Sequence, residues 1–461
     1  MKKHMKLFGQ RMIRAIGKWF YLLVIAVLSP IIKIRTKISF KESRTITRFY
    51  LISVFRLKRF SNALKVFNLL FFKVAWRDFF PDNSLFKLKN LTSKNTWEIG
   101  KWYGISSETL QGTDAKNDTD NQKFFSIGRE AISHILKTNR FPKKTALLPN
   151  FTCFTVLDPF EQDGWDMVFY RYNKDLTVDD EYFLNEFNKI KPSVCVFQAL
   201  SGMGFTEKEN RLIDYARQNG CMTVVDQTQD IYNNRNNPSV DFYCGSLRKW
   251  YPFPDGAFLY SKKFPIYGCD DLKENSIYRT SMGLCMFARY LDSVYDDPFF
   301  DYLFRFMWDF SVSYIGGTEI AAHTMSDYSR KVLMQQNETV NSERRIKNFR
   351  YIYQGIKGLK TVKPAFASIE RLQSVPLSFP VYVKNRRSFS TFLRSNGIAT
   401  QLLWSKPPYI KANTETDDTT EFIYNHILSL PCDQRYDLYD MKKMVSIICD
   451  YERKLNLSKN S

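Results

Sequence analysis

From about Trp97 onward, short apolar runs alternate with amphipathic ones along the chain. Runs of five to eight apolar, largely β-branched or aromatic residues predict strands at 145–149 (TALLP), 167–172 (MVFYRY), 193–200 (SVCVFQAL), 222–227 (MTVVDQ), 241–247 (DFYCGSL) and 256–261 (GAFLYS). Helical spacing appears between them. In 128–137 the residues Ala131, Ile132, Ile135 and Leu136 share one face, and in 207–219 Leu212, Ile213 and Ala216 do, with Gly220 placed to end that helix. Strands alternating with helices predict an α/β fold, a mostly parallel sheet covered by helices on both faces. Residues 270–340 are rich in aromatics and read mostly helical. Residues 341–461 read as a smaller α+β unit, with helices expected at 341–357 and near 437–454.

The first 95 residues follow a different pattern. Residues 19–32 (WFYLLVIAVLSPII) are an uncharged run of 14. A membrane-spanning helix needs about 20 apolar residues, and Ser29-Pro30 is expected to break this one. Lys2, Lys3, Lys6, Arg11, Arg14 and Lys18 precede it, as in a signal peptide, but no small-x-small cleavage site follows. Residues 44–77 interleave aromatics with Arg and Lys. Residues 82–96 are polar and read as a linker. The expected domains are therefore 1–95, a basic helical extension; 96–340, a large α/β domain; and 341–461, the small domain.

Charge sharpens this division. The net charge is +20, from 67 Lys and Arg against 47 Asp and Glu. Residues 1–95 hold 21 basic and 3 acidic groups, so the rest holds 46 and 44, a net of +2. A near-neutral body thus carries a strongly basic extension. Basic residues mixed with aromatics suit an anionic membrane surface, where each Lys or Arg contributes about 1 kcal/mol. Helices packed on the body or on a partner subunit are the alternative reading. A nucleic-acid role is not expected, because no nucleic-acid module is recognisable. The eight cysteines are scattered without a CxxC pair and only four histidines occur, so no metal site is expected and reduced thiols of a cytoplasmic protein are.

Three segments carry candidate chemistry. In Ser126-Ile127-Gly128-Arg129 a glycine opens a helix, whose first N–H groups and dipole form a natural phosphate site. In Val224-Val225-Asp226-Gln227-Thr228-Gln229 an acid stands at the carboxyl end of a strand, where parallel sheets bind ligands. A carboxylate there can keep a ring nitrogen protonated, and Gln229 can reach the same ring. In Gly245-Ser246-Leu247-Arg248-Lys249-Trp250 a lysine follows a strand end and a serine, among aromatics. Desolvation and the neighbouring Arg248 favour its neutral, nucleophilic form. Each segment alone is a modest signal; the order phosphate loop, strand-end Asp, Ser-x-x-Lys is that of the fold-type I enzymes that use pyridoxal 5'-phosphate (PLP).

With EIGKWY (98–103), LLPNFTCFTV (147–156), MSDYSRK (325–331) and LSLPCDQRY (428–436), the chain from Trp97 to Lys454 resembles the DegT/StrS-type nucleotide-sugar aminotransferases. The resemblance implies a PLP fold-type I large domain with a seven-stranded-type sheet. It implies Lys249 as the Schiff-base lysine and proton shuttle, Asp226 on the pyridine nitrogen, Gln229 near the ring hydroxyl, and Gly128, Arg129 and Ser246 on the phosphate. The loop 149–156 would cover the ring face. Cys153 stands at the usual aromatic position, which leaves Phe151 or Phe154 as cover. His323 stands in the stretch (321–324) where the family carries an asparagine that reaches a neighbouring subunit's phosphate. The implied reaction moves an amino group, from glutamate, to a nucleotide-linked keto-sugar in surface polysaccharide or glycoconjugate synthesis, in a homodimer at the inner membrane face. The alternatives are a PLP-fold protein of another reaction class, which the presence of Lys249 disfavours in the case of a dehydratase, and a non-catalytic membrane-associated scaffold.

Overall fold

The computed structural model describes residues 22, 25–33, 39–57, 59–74, 76, 83–86, 88, 91–106, 118–413 and 417–460. The basic stretch from Lys2 to Lys18 and parts of the 19–32 run and of the 82–96 linker lie outside them. The chain divides into two compact units, one of Met1–Lys94, Gly104–Thr109 and Asn275–Thr318, the other of Asn95–Tyr103, Leu110–Glu274 and Glu319–Ser461.

The larger unit is built on a seven-stranded sheet. Its strands are β1 (Gln122–Phe125), β2 (Thr145–Pro149), β3 (Asp166–Tyr170), β4 (Val194–Gln198), β5 (Met222–Asp226), β6 (Phe242–Ser246) and β7 (Ala257–Tyr260). They lie in the order β1-β7-β6-β5-β4-β2-β3. The five from β6 to β3 run parallel, β7 is antiparallel to β6, and β1 is antiparallel to β7. Every residue of β4 and of β6 is buried, as a strand covered on both faces requires. The α/β architecture expected from the apolar runs is thus present. Strand β1 was not anticipated, because its QKFF is too short and half polar to register as a run.

Local chemistry fixes the connecting helices. Glu207–Gln218 begins in a reciprocal capping box between Thr206 and Glu209, and Gly220 follows it at φ +78°. The helix Phe154–Gln162 tolerates Pro159 in its interior. A second, three-stranded antiparallel sheet holds β8 (Val362–Pro364), β9 (Phe379–Val383) and β10 (Ile427–Leu430) in the order β10-β9-β8. The helices Glu338–Ile356 and Leu438–Asn460 accompany it, and Phe349, Ile352, Phe379, Met444 and Ile448 share its core.

The smaller unit is helical. Phe40–Leu57 and Phe60–Asn68 form a hairpin, continued by a π-turn over Leu69–Lys73, and Ser276–Val294 and Pro298–Gly316 pack with it. Tyr50 is its centre: its ring lies 5.4–5.6 Å from those of Phe67, Phe71 and Phe306, and its hydroxyl donates to the Ala63 carbonyl. Pro30 does not end its helix as expected; residues 25–33 are helical through it. The Ser29 hydroxyl donates to the Ile25 carbonyl four residues back at 2.6 Å; the carbonyl that loses its N–H donor to Pro30 is that of Ala26. No helix of the described residues is long and apolar enough to cross a membrane.

One glycine limits how β6 can reach the sheet's edge. A Cβ on Gly245 would lie 2.8 Å from the Phe258 ring and 3.2 Å from the Gln227 backbone. Gly245→Ala is expected to lose about 1–3 kcal/mol to overpacking, read by urea denaturation. Gly358→Ala, with open space around it, is the control and should stay within about 0.5 kcal/mol of the parent.

Candidate active site

The carboxyl ends of β4, β5 and β6 stand side by side. Gln198 is paired in register with Asp226, and Asp226 with Cys244, two residues before Ser246. A single 3-10 turn, Leu247–Lys249, then carries the chain from Ser246 to Lys249. Its N–H groups at Leu247 and Arg248 donate to the Gly256 carbonyl at 2.9 and 3.3 Å, and the Gly256 N–H donates to the Ser126 carbonyl at 2.6 Å. Gly256 therefore bridges the lysine turn to the loop that opens the helix Gly128–Thr138. The φ of Gly256 is +145°, and a Cβ there would lie 2.8 Å from the Met325 methyl, so no other residue fits.

Thr228 holds the centre of the site together. Its backbone N–H donates to Asp226 Oδ1 at 2.8 Å, its hydroxyl accepts from the Ser246 N–H at 3.1 Å, and its carbonyl accepts from Trp250 Nε1 at 2.9 Å. Three atoms of one residue thus connect the acid, the serine and the residue after the lysine. Trp250 is fully buried, and its own carbonyl accepts from Tyr103 Oη at 2.8 Å and Gln434 Nε2 at 2.9 Å. Arg345 stacks 4.5 Å over the Trp250 ring and donates to Tyr103 Oη.

The electrostatics match a nucleophilic amine. Desolvation holds the Lys249 amine below the ordinary lysine value, with Arg248 pushing the same way; Cys153 and Asp226 oppose it. Burial raises the Asp226 carboxyl above the usual carboxylate value, against the Thr228 hydrogen bonds and the Lys249 charge.

The other residues singled out in the sequence divide into two groups. Gly128 approaches Ser246: a Cβ built on it would lie 3.7 Å from the Ser246 Cβ. Ile127 occupies the N-cap of that helix and has no side chain able to cap it. The Ser126 hydroxyl is buried with no hydrogen-bond partner among the described residues. Gln229 is buried, and its carbonyl oxygen accepts from the Ser201 hydroxyl at 3.2 Å, which fixes the orientation of the amide. Cys153 is half-buried and Phe154 is exposed at the start of the following helix.

Three side chains are engaged elsewhere. The Arg129 guanidinium pairs with Asp158 at 3.3 Å in a buried ion pair. The Phe151 ring is fully buried against Tyr172, Trp404 and Tyr424. His323 Nδ1 lies 3.0 Å from Glu130 Oε1 of the same chain, and its carbonyl accepts from the Ser126 N–H. Thr228, Trp250, Tyr103 and Gly256 were not singled out from sequence. All four lie inside quoted motifs, but nothing in a threonine or a tryptophan by itself announces a three-way tether.

No family model matches the sequence, and no curated protein matches it. Solved structures do. A DegT DnrJ EryC1 StrS aminotransferase from Brucella abortus superposes with a TM-score of 0.50 at 17% identity, over 72% of this chain and 86% of that one. DesI, solved with its TDP-sugar product, gives 0.53 at 14% identity over 74% and 83%. A Streptococcus pneumoniae protein in its PMP form gives 0.55 at 14% over 76% and 94%. The fold is that of the DegT-type aminotransferases. At these identities the likeness is one of fold, and the chemistry of this aminotransferase-fold chain has to be argued from its own side chains.

Two outcomes follow from the geometry. Thr228→Val removes the acceptor of the buried Ser246 N–H and should cost about 1–3 kcal/mol in urea denaturation; a change below 0.5 kcal/mol, within the range of ordinary surface substitutions, would remove Thr228 from its tethering role. Asp230, next to Gln229 and fully buried, has its pKa pushed up to about 7 by burial, partly offset by Ser374 and Asn233. The folded protein keeps that proton to about pH 7 while the unfolded chain releases it near the ordinary 3.8, so stability falls as pH rises through this window. Asp230→Asn should therefore gain stability over the parent at pH 8 relative to pH 4.5; a difference that is the same at both pH values contradicts the raised pKa.

Proposed function

We propose that this chain is a PLP-dependent aminotransferase that places an amino group on a keto-sugar. The observation that carries the reading is the meeting of Lys249, Asp226, Ser246 and Gly128 at the carboxyl edge of a parallel sheet, with the lysine amine desolvated.

The residues present fit the cofactor. Asp226 is a buried acid whose anion is disfavoured by its surroundings, and a protonated pyridine nitrogen is the kind of partner that offsets such a penalty. An uncapped helix start beside the unpartnered Ser126 hydroxyl, close to Ser246, suits a phosphate. Bound PLP supplies an electron sink for charge developing on a substrate carbon.

The chain's own residues divide the remaining work. Asp226 keeps the proton on the ring nitrogen. Lys249, whose ammonium form is disfavoured by desolvation, takes the proton from the substrate carbon and returns it to the next one. Thr228 keeps both strand ends in register while this happens. Gln229, its amide oriented by Ser201, stands ready for the ring hydroxyl. Gly128, Ser126 and Ser246 hold the phosphate, and Arg129 contributes its place in the first helical turn while its guanidinium serves Asp158. Cys153 or Phe154 would cover the ring face, while Phe151 is held in the core by Tyr172, Trp404 and Tyr424.

The finer reading has glutamate as donor, a nucleotide-linked keto-sugar as acceptor and surface polysaccharide or glycoconjugate as destination. DesI, with its TDP-sugar product, is the support for a nucleotide link. We read the enzyme as a homodimer in the cytoplasm, which fits its eight free thiols, held at an anionic membrane surface by its basic N-terminal segment. We keep the domain reading as a large domain of 96–340, a small one of 341–461 and the extension of 1–95.

Purified protein should carry the visible absorbance of bound PLP, bleached by glutamate. Lys249→Ala should abolish that absorbance and lower transamination by about 10²–10⁴-fold, the range of positioned proton transfer. A parent protein that is colourless and stays colourless with added PLP overturns the proposal.

A further inference from the structure

We infer that the outer face of the Phe40–Lys73 hairpin docks on an anionic phospholipid bilayer, lying in its surface. The inference gives a location to the membrane reading above, on which it rests, and is independent of the catalytic one.

Sixteen large apolar side chains of the described chain are exposed, and eight of them fall between Leu22 and Phe72. In the helix Phe60–Asn68 and the π-turn after it, Phe60, Leu64 and Phe72 recur at multiples of four and share one stripe. They are exposed by 64%, 70% and 55%. The inner face of the same helix holds Ala63, Val66 and Leu70, all buried, so the outward apolar stripe is surplus to the unit's core. In Phe40–Leu57 the exposed stripe runs Lys41, Arg44, Arg48 and then Phe55.

Charge decides what fits this face. All eight Lys and Arg side chains described between residues 22 and 74 are exposed, and Glu42 is the one described acid there. A basic face studded with Phe and Leu, with lysines beside its apolar stripe, is what an anionic bilayer surface takes up. A groove beside the stripe repeats the pattern on a smaller scale. Leu69, Leu85, Phe86 and Phe299 form it, with Lys65 and Lys73 along it, and Lys65 sits 5.5 Å over the Phe299 ring. An acyl chain against the apolar walls with its phosphate on the two lysines meets both chemistries at once. The helices lie on the surface and do not cross it, because none of the described ones is long and apolar enough.

The test is co-sedimentation of the full chain with phosphatidylcholine vesicles, with or without one quarter phosphatidylglycerol, at low and high salt. Binding should be about tenfold tighter to the anionic vesicles and should weaken with salt. A Phe60→Ser/Leu64→Ser variant and a Lys65→Gln/Lys73→Gln variant should each lose about tenfold in partitioning, with thermal melts like the parent's. Three results overturn the inference: a parent that pellets with neither vesicle, variants that pellet like the parent, or lipid-free self-association that Phe60→Ser/Leu64→Ser abolishes, which would assign the face to a second copy. Colour reports the other reading separately. A protein that is colourless with PLP but still pellets keeps the docking surface and loses the catalytic assignment.

Discussion

A threonine between two strand ends decides whether this site exists. Thr228 has to bond Asp226 with its N–H, Ser246 with its hydroxyl and Trp250 with its carbonyl. The first bond turns the chain at the end of β5 and keeps the Asp226 carboxylate facing the edge of the sheet. The second ties that turn to the end of β6. The third reaches past Lys249 and pins the residue that follows it. A serine-to-lysine spacing of three residues becomes a geometry only because both ends of the 3-10 turn are held by the same neighbour. Each bond is partly buried, and together they make the Ser246-to-Lys249 spacing a property of the fold rather than of one loop.

The segments that carried the resemblance converge on this turn from far along the chain. Tyr103, from EIGKWY, and Gln434, from LSLPCDQRY, donate to the same Trp250 carbonyl. Ser326, from MSDYSRK, donates to Asp255 with both its N–H and its hydroxyl, one residue before the Gly256 bridge. Motifs that looked like separate signatures in sequence are the anchors of one loop. Their order was readable from the chain because ligands of α/β sheets gather at strand ends; their purpose was not, because a hydrogen bond between residues 103 and 250 leaves no local trace in either.

The same distinction between local and distant causes explains the rest of what sequence could reach. Continuous apolar runs announced β2, β4, β5 and β6, since a strand buried on both faces needs nothing but apolar residues. Strand β1 escaped because it is four residues long and its partner, β7, supplies the pairing. Pro30 misled because a proline inside a helix removes one hydrogen bond, at the carbonyl four residues before it, a loss that the packing of the buried Ser29 and Ile32 on either side can outweigh. Motif order alone suggested that Gly128 and Ser246 share a site, and the two residues do lie close together. The direction of the Arg129 side chain depends on Asp158, 29 residues away, and no spacing rule specifies that pair.

Lys249 and Asp226 show why the site reads as a binding place rather than as core. Burial works against both: it disfavours the ammonium form of the lysine and the anionic form of the aspartate. If the two served only each other, the structure would need a close ion pair to repay the desolvation. The Asp226 oxygen instead accepts from the Thr228 backbone, and its carboxyl remains raised despite the nearby lysine. An acid and an amine kept near one another, each short of compensation, have a use for a third group that brings a protonated ring nitrogen for the one and an electrophilic carbon for the other. In the proposed reading PLP would bring both on one ring, and the uncapped helix start at Gly128, beside a Ser126 hydroxyl without a partner among the described residues, would take its phosphate.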